Sequence, residues 1–173
     1  KAALIHDIGK IGVPETIISK PGRLSEDEYA IIRRHPTIGA EILSRLKGLQ
    51  ELVPLVRHHQ EKFDGSGYPD GLRAGQIPLG ARILTLADSL DAMYSDRTYK
   101  RSRKLEDVVA EVRRCSGTHF DPKIVQVFLD LVEEQGQAFF QNSAQTVDRA
   151  VALANFQLNP EGARRFLKRS QME

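Results

Sequence analysis

The chain has 173 residues, enough for one domain with a sizeable core. Hydrophobic residues make up 40%, charged residues 28%, and the formal net charge is +2, so no bulk field recruits DNA or a membrane surface. A single cysteine, Cys115, makes no internal disulfide and fits a reducing, cytoplasmic compartment; no apolar run approaches the roughly 20 residues of a membrane span, and no signal-peptide pattern is present.

Helical periodicity dominates and no stretch alternates like a strand, so an all-α fold is expected. Ala2 to about Ile8 reads as the end of an apolar helix, stopped near Gly9 and Gly12. The chain opens inside that helix without an N-cap, so a preceding helix outside this sequence is expected. Residues 13–24 carry Pro14, Pro21 and Gly22 and read as a loop. Ser25 starts a helix with Glu28 as its capping-box partner, and Pro36 interrupts that helix after His35. Thr37 to Leu46 follows, with Ile38, Ile42 and Leu46 on one face. Gln50 to Gln60 is read as one helix. Residues 61–78 are too rich in glycine and proline for regular structure. Leu79 to Tyr94 is strongly helical. A basic turn from Ser95 to Lys104 leads into a helix from Leu105 to Arg114. Asp121-Pro122 then pairs an N-cap with proline at the first helical position, opening a helix to about Glu134. The tail from Gly136 offers an amphipathic helix with Val147, Ala150, Val151 and Ala154 on one face. A basic helix follows Pro160, read as a solvated face. Residues 1–135 are taken as the core and 136–173 as a helical extension that packs on the bundle or forms a homodimer contact.

Several polar residues interrupt apolar runs. His6-Asp7 follows Ala-Ala-Leu-Ile and precedes Ile8, so a helix there buries at least one of the pair. A buried carboxylate requires a cation or donors, and Lys10 is the plain alternative partner for Asp7. Leu52, Leu55 and Val56 lie seven, four and three residues before His59, which places that imidazole on the buried face. A satisfied core histidine is its plain alternative; His58 points about 100° away. Asp88 and Asp91 sit one turn apart in an apolar helix, where a cation between helices, or Arg82 or Arg97, answers their charge. His35 lies at a proline-marked junction, from which it can be aimed across a bundle. Imidazole together with carboxylate suits manganese, iron, nickel or zinc.

His6-Asp7-Ile8-Gly9-Lys10 resembles the signature of the HD metal-dependent phosphohydrolases. Asp64-Gly65-Ser66-Gly67-Tyr68-Pro69 resembles the loop that sets HD-GYP domains apart from other HD proteins. The phrases KPGRLSEDEY, HPTIGAEIL, IPLGARILTLADSLDAM, SDRTYK and GTHFDP match in the same order, so the resemblance covers about Lys1 to Leu131. It implies an all-α HD-type helical bundle that hydrolyses cyclic di-GMP to pGpG or GMP in bacterial signalling. It further implies two divalent transition-metal ions, iron or manganese ahead of nickel or zinc. Their ligands by resemblance are His6, Asp7, His35, His59 and Asp88, with Asp7 bridging. Lys10 matches a lysine at the scissile phosphate, which makes Asp7 and Lys10 the catalytic residues. Tyr68, Arg97 and Lys100 match positions that hold the nucleotide. Upstream sensor or receiver domains and GGDEF-type partners are usual in the family. Two departures stand out. Members usually carry a histidine or glutamate on a helix before the HD pair, and none precedes it here. Many have His-His-Glu where this chain has His59-Gln60-Glu61, which favours two metals over three. A different cyclic dinucleotide, such as cyclic GMP-AMP, and a binding module without turnover stay open as alternatives.

Overall fold

In the computed structural model, which describes residues 1–94 and 104–136, the regular structure is helical, and an isolated bridge between Ser116 and Phe120 is the β feature seen among those residues. The helices are α1 (Ala2–Ile5), α2 (Glu15–Ile18), α3 (Glu26–Ile32), α4 (His35–Ser44), α5 (Val53–Arg57), α6 (Leu79–Tyr94), α7 (Leu105–Arg114) and α8 (Pro122–Gln135), with 3-10 turns at Ile8–Gly12, Gln50–Leu52 and Ala74–Gln76. Residues Lys1–Val127 form one compact unit, and Phe128–Glu173 a second, of which 128–136 are described. Arg97, Lys100 and the helices expected after Gly136 lie outside the described residues. No helix among the described residues is long and apolar enough to cross a membrane.

Local signals act where the chemistry requires. The Ser25 hydroxyl accepts from Glu28 N at 3.2 Å, and the Glu28 carboxylate accepts from Ser25 N at 2.7 Å, which completes the capping box of α3. Asp121 accepts from Lys123 N at 2.8 Å and so caps α8, with Pro122 in the first turn.

Elsewhere tertiary packing changes the expected boundaries. Residues 13–24 are not all loop, because Glu15–Ile18 makes a single helical turn that buries Ile17. The break expected after His35 comes before it, at Arg33 and Arg34. Pro36 starts α4 instead of ending α3, since its missing N–H costs nothing in a first turn. The buried face of α4 is His35, Pro36, Gly39, Ala40 and Leu43; Ile38 and Ile42 are half-buried and Leu46 is exposed. The Gln50–Gln60 segment is regular α-helix only at Val53–Arg57, and His59 lies in the turn beyond it.

The Ile8–Gly12 turn and α5 both pack against α4, α5 packs against α6, and α6 against α7. Leu43, Leu52 and Val56 form a core cluster, with Ile5, Val53 and Leu55 against it. Burial of each such side chain contributes about 1.5–3 kcal/mol. Gly9 lies tight against the start of α4. A β-carbon on Gly9 would lie 1.9 Å from the His35 carbonyl oxygen and 2.5 Å from Gly39 N. Only the absence of that carbon lets the Ile8–Gly12 turn lie on the start of α4, which brings Asp7 beside His35. On α6, the Thr85 hydroxyl is 2.8 Å from the His59 carbonyl oxygen and 2.9 Å from that of Ala81, and it ties the His59 turn to the helix that carries Asp88.

Candidate metal centre

Three histidines from three segments are held in the same way. The Nδ1 of His6 donates to Ala3 O (2.7 Å), that of His35 to Ile32 O (2.8 Å) and that of His59 to Val56 O (2.6 Å). Each acceptor is the carbonyl three residues earlier. A carbonyl has no proton to give, so each Nδ1 carries the hydrogen and each neutral ring turns a bare Nε2 lone pair inward. This is how proteins fix the tautomer of a metal-binding histidine.

The three Nε2 atoms converge on Asp7, and that of His6 also reaches Asp88. His35 Nε2 is 3.4 Å and His59 Nε2 3.9 Å from Asp7 Oδ1; His6 Nε2 is 3.5 Å from Asp7 Oδ2 and 3.4 Å from Asp88 Oδ1. The Nε2 atoms of His35 and His59 are 3.2 Å apart. The centre is therefore built from acceptors. Two imidazole lone pairs at that distance repel unless a proton or a metal ion lies between them, and imidazole beside carboxylate is repulsive in the same way. His6, Asp7 and His59 offer ligand atoms all within 4.8 Å of one another. The donor set fits a transition-metal ion.

Burial sorts these side chains. His35 and His59 are 2% and 1% exposed, whereas the carboxylates of Asp7 and Asp88 are 39% and 37% exposed. The histidines thus form the floor and the carboxylates the open mouth. Burial drives the His59 pKa down to about 4 and lowers that of His35, so both rings are neutral at neutral pH. Bonding to Asp88 raises the pKa of His6 and lowers that of Asp88. At His6 Nε2 a proton and a cation compete for the place beside Asp88. Lys10 Nζ, at the mouth, donates to Asp7 Oδ2 at 2.6 Å. Asp91 is exposed, so the expectation of two buried carboxylates on α6 holds only for Asp88, itself half-buried.

The glycine-rich loop folds onto the same mouth. A β-carbon on Gly67 would lie 2.3 Å from Lys62 N, so only glycine lets the loop fold back on its own start. Tyr68 N then donates to Gln60 O at 3.2 Å, and the Tyr68 ring centroid lies 6.5 Å from that of His35. Burial raises the Tyr68 pKa to about 12, so its hydroxyl keeps its proton. On the far side Phe63 N and Asp64 N donate to His119 O and Thr118 O, which docks the loop on the turn before α8.

The residue that closes this loop was not singled out from sequence. Glu61 is buried, and its carboxylate accepts from Asp70 N at 2.7 Å and Leu72 N at 3.1 Å. Arg57 grips Asp70 with two bonds of 2.8 Å. His58, Glu61 and Asp70 also have ligand atoms within 4.8 Å of one another, but these bonds already occupy both carboxylates, so the group acts as a loop clasp. The available signal was a glutamate immediately before a glycine-rich stretch with few other anchors. Of the sequence-derived candidates, His6, Asp7, Lys10, His35, His59 and Asp88 come together, and Tyr68 stands beside His35. Arg97 and Lys100 lie outside the described residues.

A family model described as "HD domain" matches residues 1–124. Over 135 residues the chain is 45% identical to a cyclic di-GMP phosphodiesterase of Thermotoga maritima, covering 77% of this chain and 37% of that protein. Over 135 residues it is 39% identical to a 3'3'-cGAMP-specific phosphodiesterase of Vibrio cholerae, covering 77% of this chain and 26% of that one. The chain thus spans well under half the length of these relatives. A crystal structure of a Vibrio cholerae cyclic GMP-AMP phosphodiesterase superposes with a TM-score of 0.59 at 22% identity, over 80% of this chain and 38% of that one, a likeness of fold.

Proposed function

Since this chain belongs to the HD domain family, in its HD-GYP branch, we propose that it is a metal-dependent phosphodiesterase that hydrolyses cyclic di-GMP. The observation that carries this reading is the cluster of acceptors: the Nε2 atoms of His6, His35 and His59 turned toward Asp7, with Asp88 beside His6. Two divalent transition-metal ions, iron or manganese, supply Lewis acidity and a low-pKa water there when bound. His6, His35, His59, Asp7 and Asp88 hold them, with Asp7 central because His6, Lys10, His35 and His59 all face it.

The chain's own residues do the rest. The carboxylates leave the mouth open, so a phosphodiester can reach the centre while the floor stays dry. Lys10, already at the mouth, stabilises charge on a non-bridging phosphate oxygen as it builds. Tyr68, fixed by the folded-back loop, borders the nucleotide. Arg97 and Lys100, carried over by resemblance, answer the second phosphate. One water is consumed per bond: its oxygen joins phosphorus, the bond to the 3′ oxygen breaks, and linear pGpG results. A second hydrolysis yields GMP.

A second substrate, 3'3'-cyclic GMP-AMP, is favoured by relatives at comparable identity that carry that name. A receptor without turnover is disfavoured by the inward lone pairs of His6, His35 and His59 beside Asp7. GGDEF-type domains, a homodimer and a cytoplasmic setting accompany the proposed signalling role. The test is chromatographic assay of the metal-loaded protein. Asp7→Ala is expected to abolish cleavage of cyclic di-GMP. Arg97→Ala is expected to raise KM, by about 1.5–3 kcal/mol for one charged hydrogen bond, with a smaller effect on kcat. Full activity in Asp7→Ala refutes the assignment, and metal-loaded protein that binds but never cleaves supports the receptor.

A further inference from the structure

We propose that Arg33 is a nucleobase-binding residue that reads the guanine of the substrate. This rests on the reading that the substrate is a guanine-containing cyclic dinucleotide. Arg33 closes α3 one turn after Tyr29, an i, i+4 spacing that puts both on one helix face. Its guanidinium carbon lies 4.8 Å from the ring centroid of Tyr29 and 5.3 Å from that of Tyr68. Tyr68 in turn borders His35, which places the guanidinium one ring's breadth from the metal centre. Arg33 and Tyr29 are both exposed, and among the described residues the Arg33 side chain pairs with no carboxylate.

An arginine held by aromatic rings keeps its planar fork of N–H donors free. That fork matches O6 and N7 of guanine, two acceptors side by side, and the flanking rings offer the flat surface on which a base stacks. A phosphate would use the fork but has no use for the rings. Adenine presents an acceptor and a donor on the same edge, so it cannot accept both N–H bonds. Arg33 is thus placed to favour guanine over adenine at one end of the dinucleotide, while the metal centre acts on the adjoining phosphate.

The experiment compares unmutated protein with Arg33→Lys and Arg33→Ala, folding checked by circular dichroism. The readouts are KM for cyclic di-GMP and the inhibition constant of cyclic di-AMP. Lysine keeps the charge and the contact with the rings but loses the fork. Both variants are therefore expected to raise KM for cyclic di-GMP about 10–100-fold and to leave inhibition by cyclic di-AMP unchanged. Equal losses for the two dinucleotides, or rescue by lysine, would mean that Arg33 meets a phosphate or merely staples the loop, and either result overturns the proposal. If the metal-loaded protein cleaves no cyclic dinucleotide, the phosphodiesterase reading fails. The same contrast is then read from dissociation constants, where selective loss of cyclic di-GMP sustains the role of Arg33. Absence of binding to either dinucleotide removes it.

Discussion

Substituting Glu61 tests how the loop beside the centre is held. Its carboxylate is buried and accepts two backbone N–H bonds, from Asp70 at 2.7 Å and Leu72 at 3.1 Å. Hydrogen bonds to a charged group contribute about 1.5–3 kcal/mol each, so the pair is worth roughly 3–6 kcal/mol. Removing a buried carboxylate also removes its desolvation cost, so Glu61→Ala is expected to destabilise by about 2–4 kcal/mol. Glu61→Gln keeps one acceptor oxygen and turns its amide donor toward the second N–H, for about half that loss. A total stability of about 5–15 kcal/mol makes either change easy to read. The assay is urea unfolding of the metal-free protein followed by circular dichroism, with amide hydrogen exchange at Asp70 and Leu72. Both amides are expected to lose protection, and KM to rise because the Tyr68 loop loses its anchor. A loss under about 1 kcal/mol with both amides still protected would show that Arg57 and the Thr118–His119 turn hold the loop without Glu61.

Gly9→Ala is expected to cost more than about 3 kcal/mol and to reduce metal uptake, because its β-carbon would meet the His35 carbonyl oxygen; a thermal melt and metal analysis read both effects. Asp121→Ala removes the cap of α8 and leaves the partly buried Arg82 without its carboxylate, for an expected loss of about 3–5 kcal/mol in urea unfolding. The metal-free protein is expected to lose stability as pH falls from 6.5 toward 4. His59 stays neutral when folded but takes a proton when unfolded, and a drop from 6.5 to about 4 corresponds to about 3 kcal/mol. Burial lowers the pKa of His35 and His119 as well and adds to the fall, whereas the raised pKa of His6 works the other way, adding stability at low pH that is lost as pH rises through it. Urea midpoints across that range, with chelator present, read the sign.

Much of the centre was legible in the sequence because polar residues inside apolar runs must be answered. The His6-Asp7 pair, His59 and Asp88 stand out for that reason and His35 for its proline-marked junction, while the resemblance adds the role of Lys10. The burial of His59 was foreseen on helical spacing, yet the structure places it in a turn, where its bond to Val56 O sets the ring. Element boundaries were less legible. Pro36 reads as a stop after His35, whereas in the structure it starts α4, with Gly9 against the His35 carbonyl and Gly39. The buried side of α4 carries its small residues Gly39 and Ala40, and Leu46 lies beyond the end of the helix. Glu61 and Arg33 act through partners distant in sequence, the Asp70–Leu72 amides and the Tyr68 ring, and no local pattern announces such pairings.

The most direct test of the metal centre is elemental analysis of the protein purified from cells supplied with manganese and iron, with Asp7→Asn prepared in parallel. Unmutated protein is expected to carry two equivalents of transition metal, and the variant to lose most of it while keeping its helical circular dichroism. Well-folded unmutated protein that contains no transition metal would contradict the reading of the inward Nε2 lone pairs as ligands.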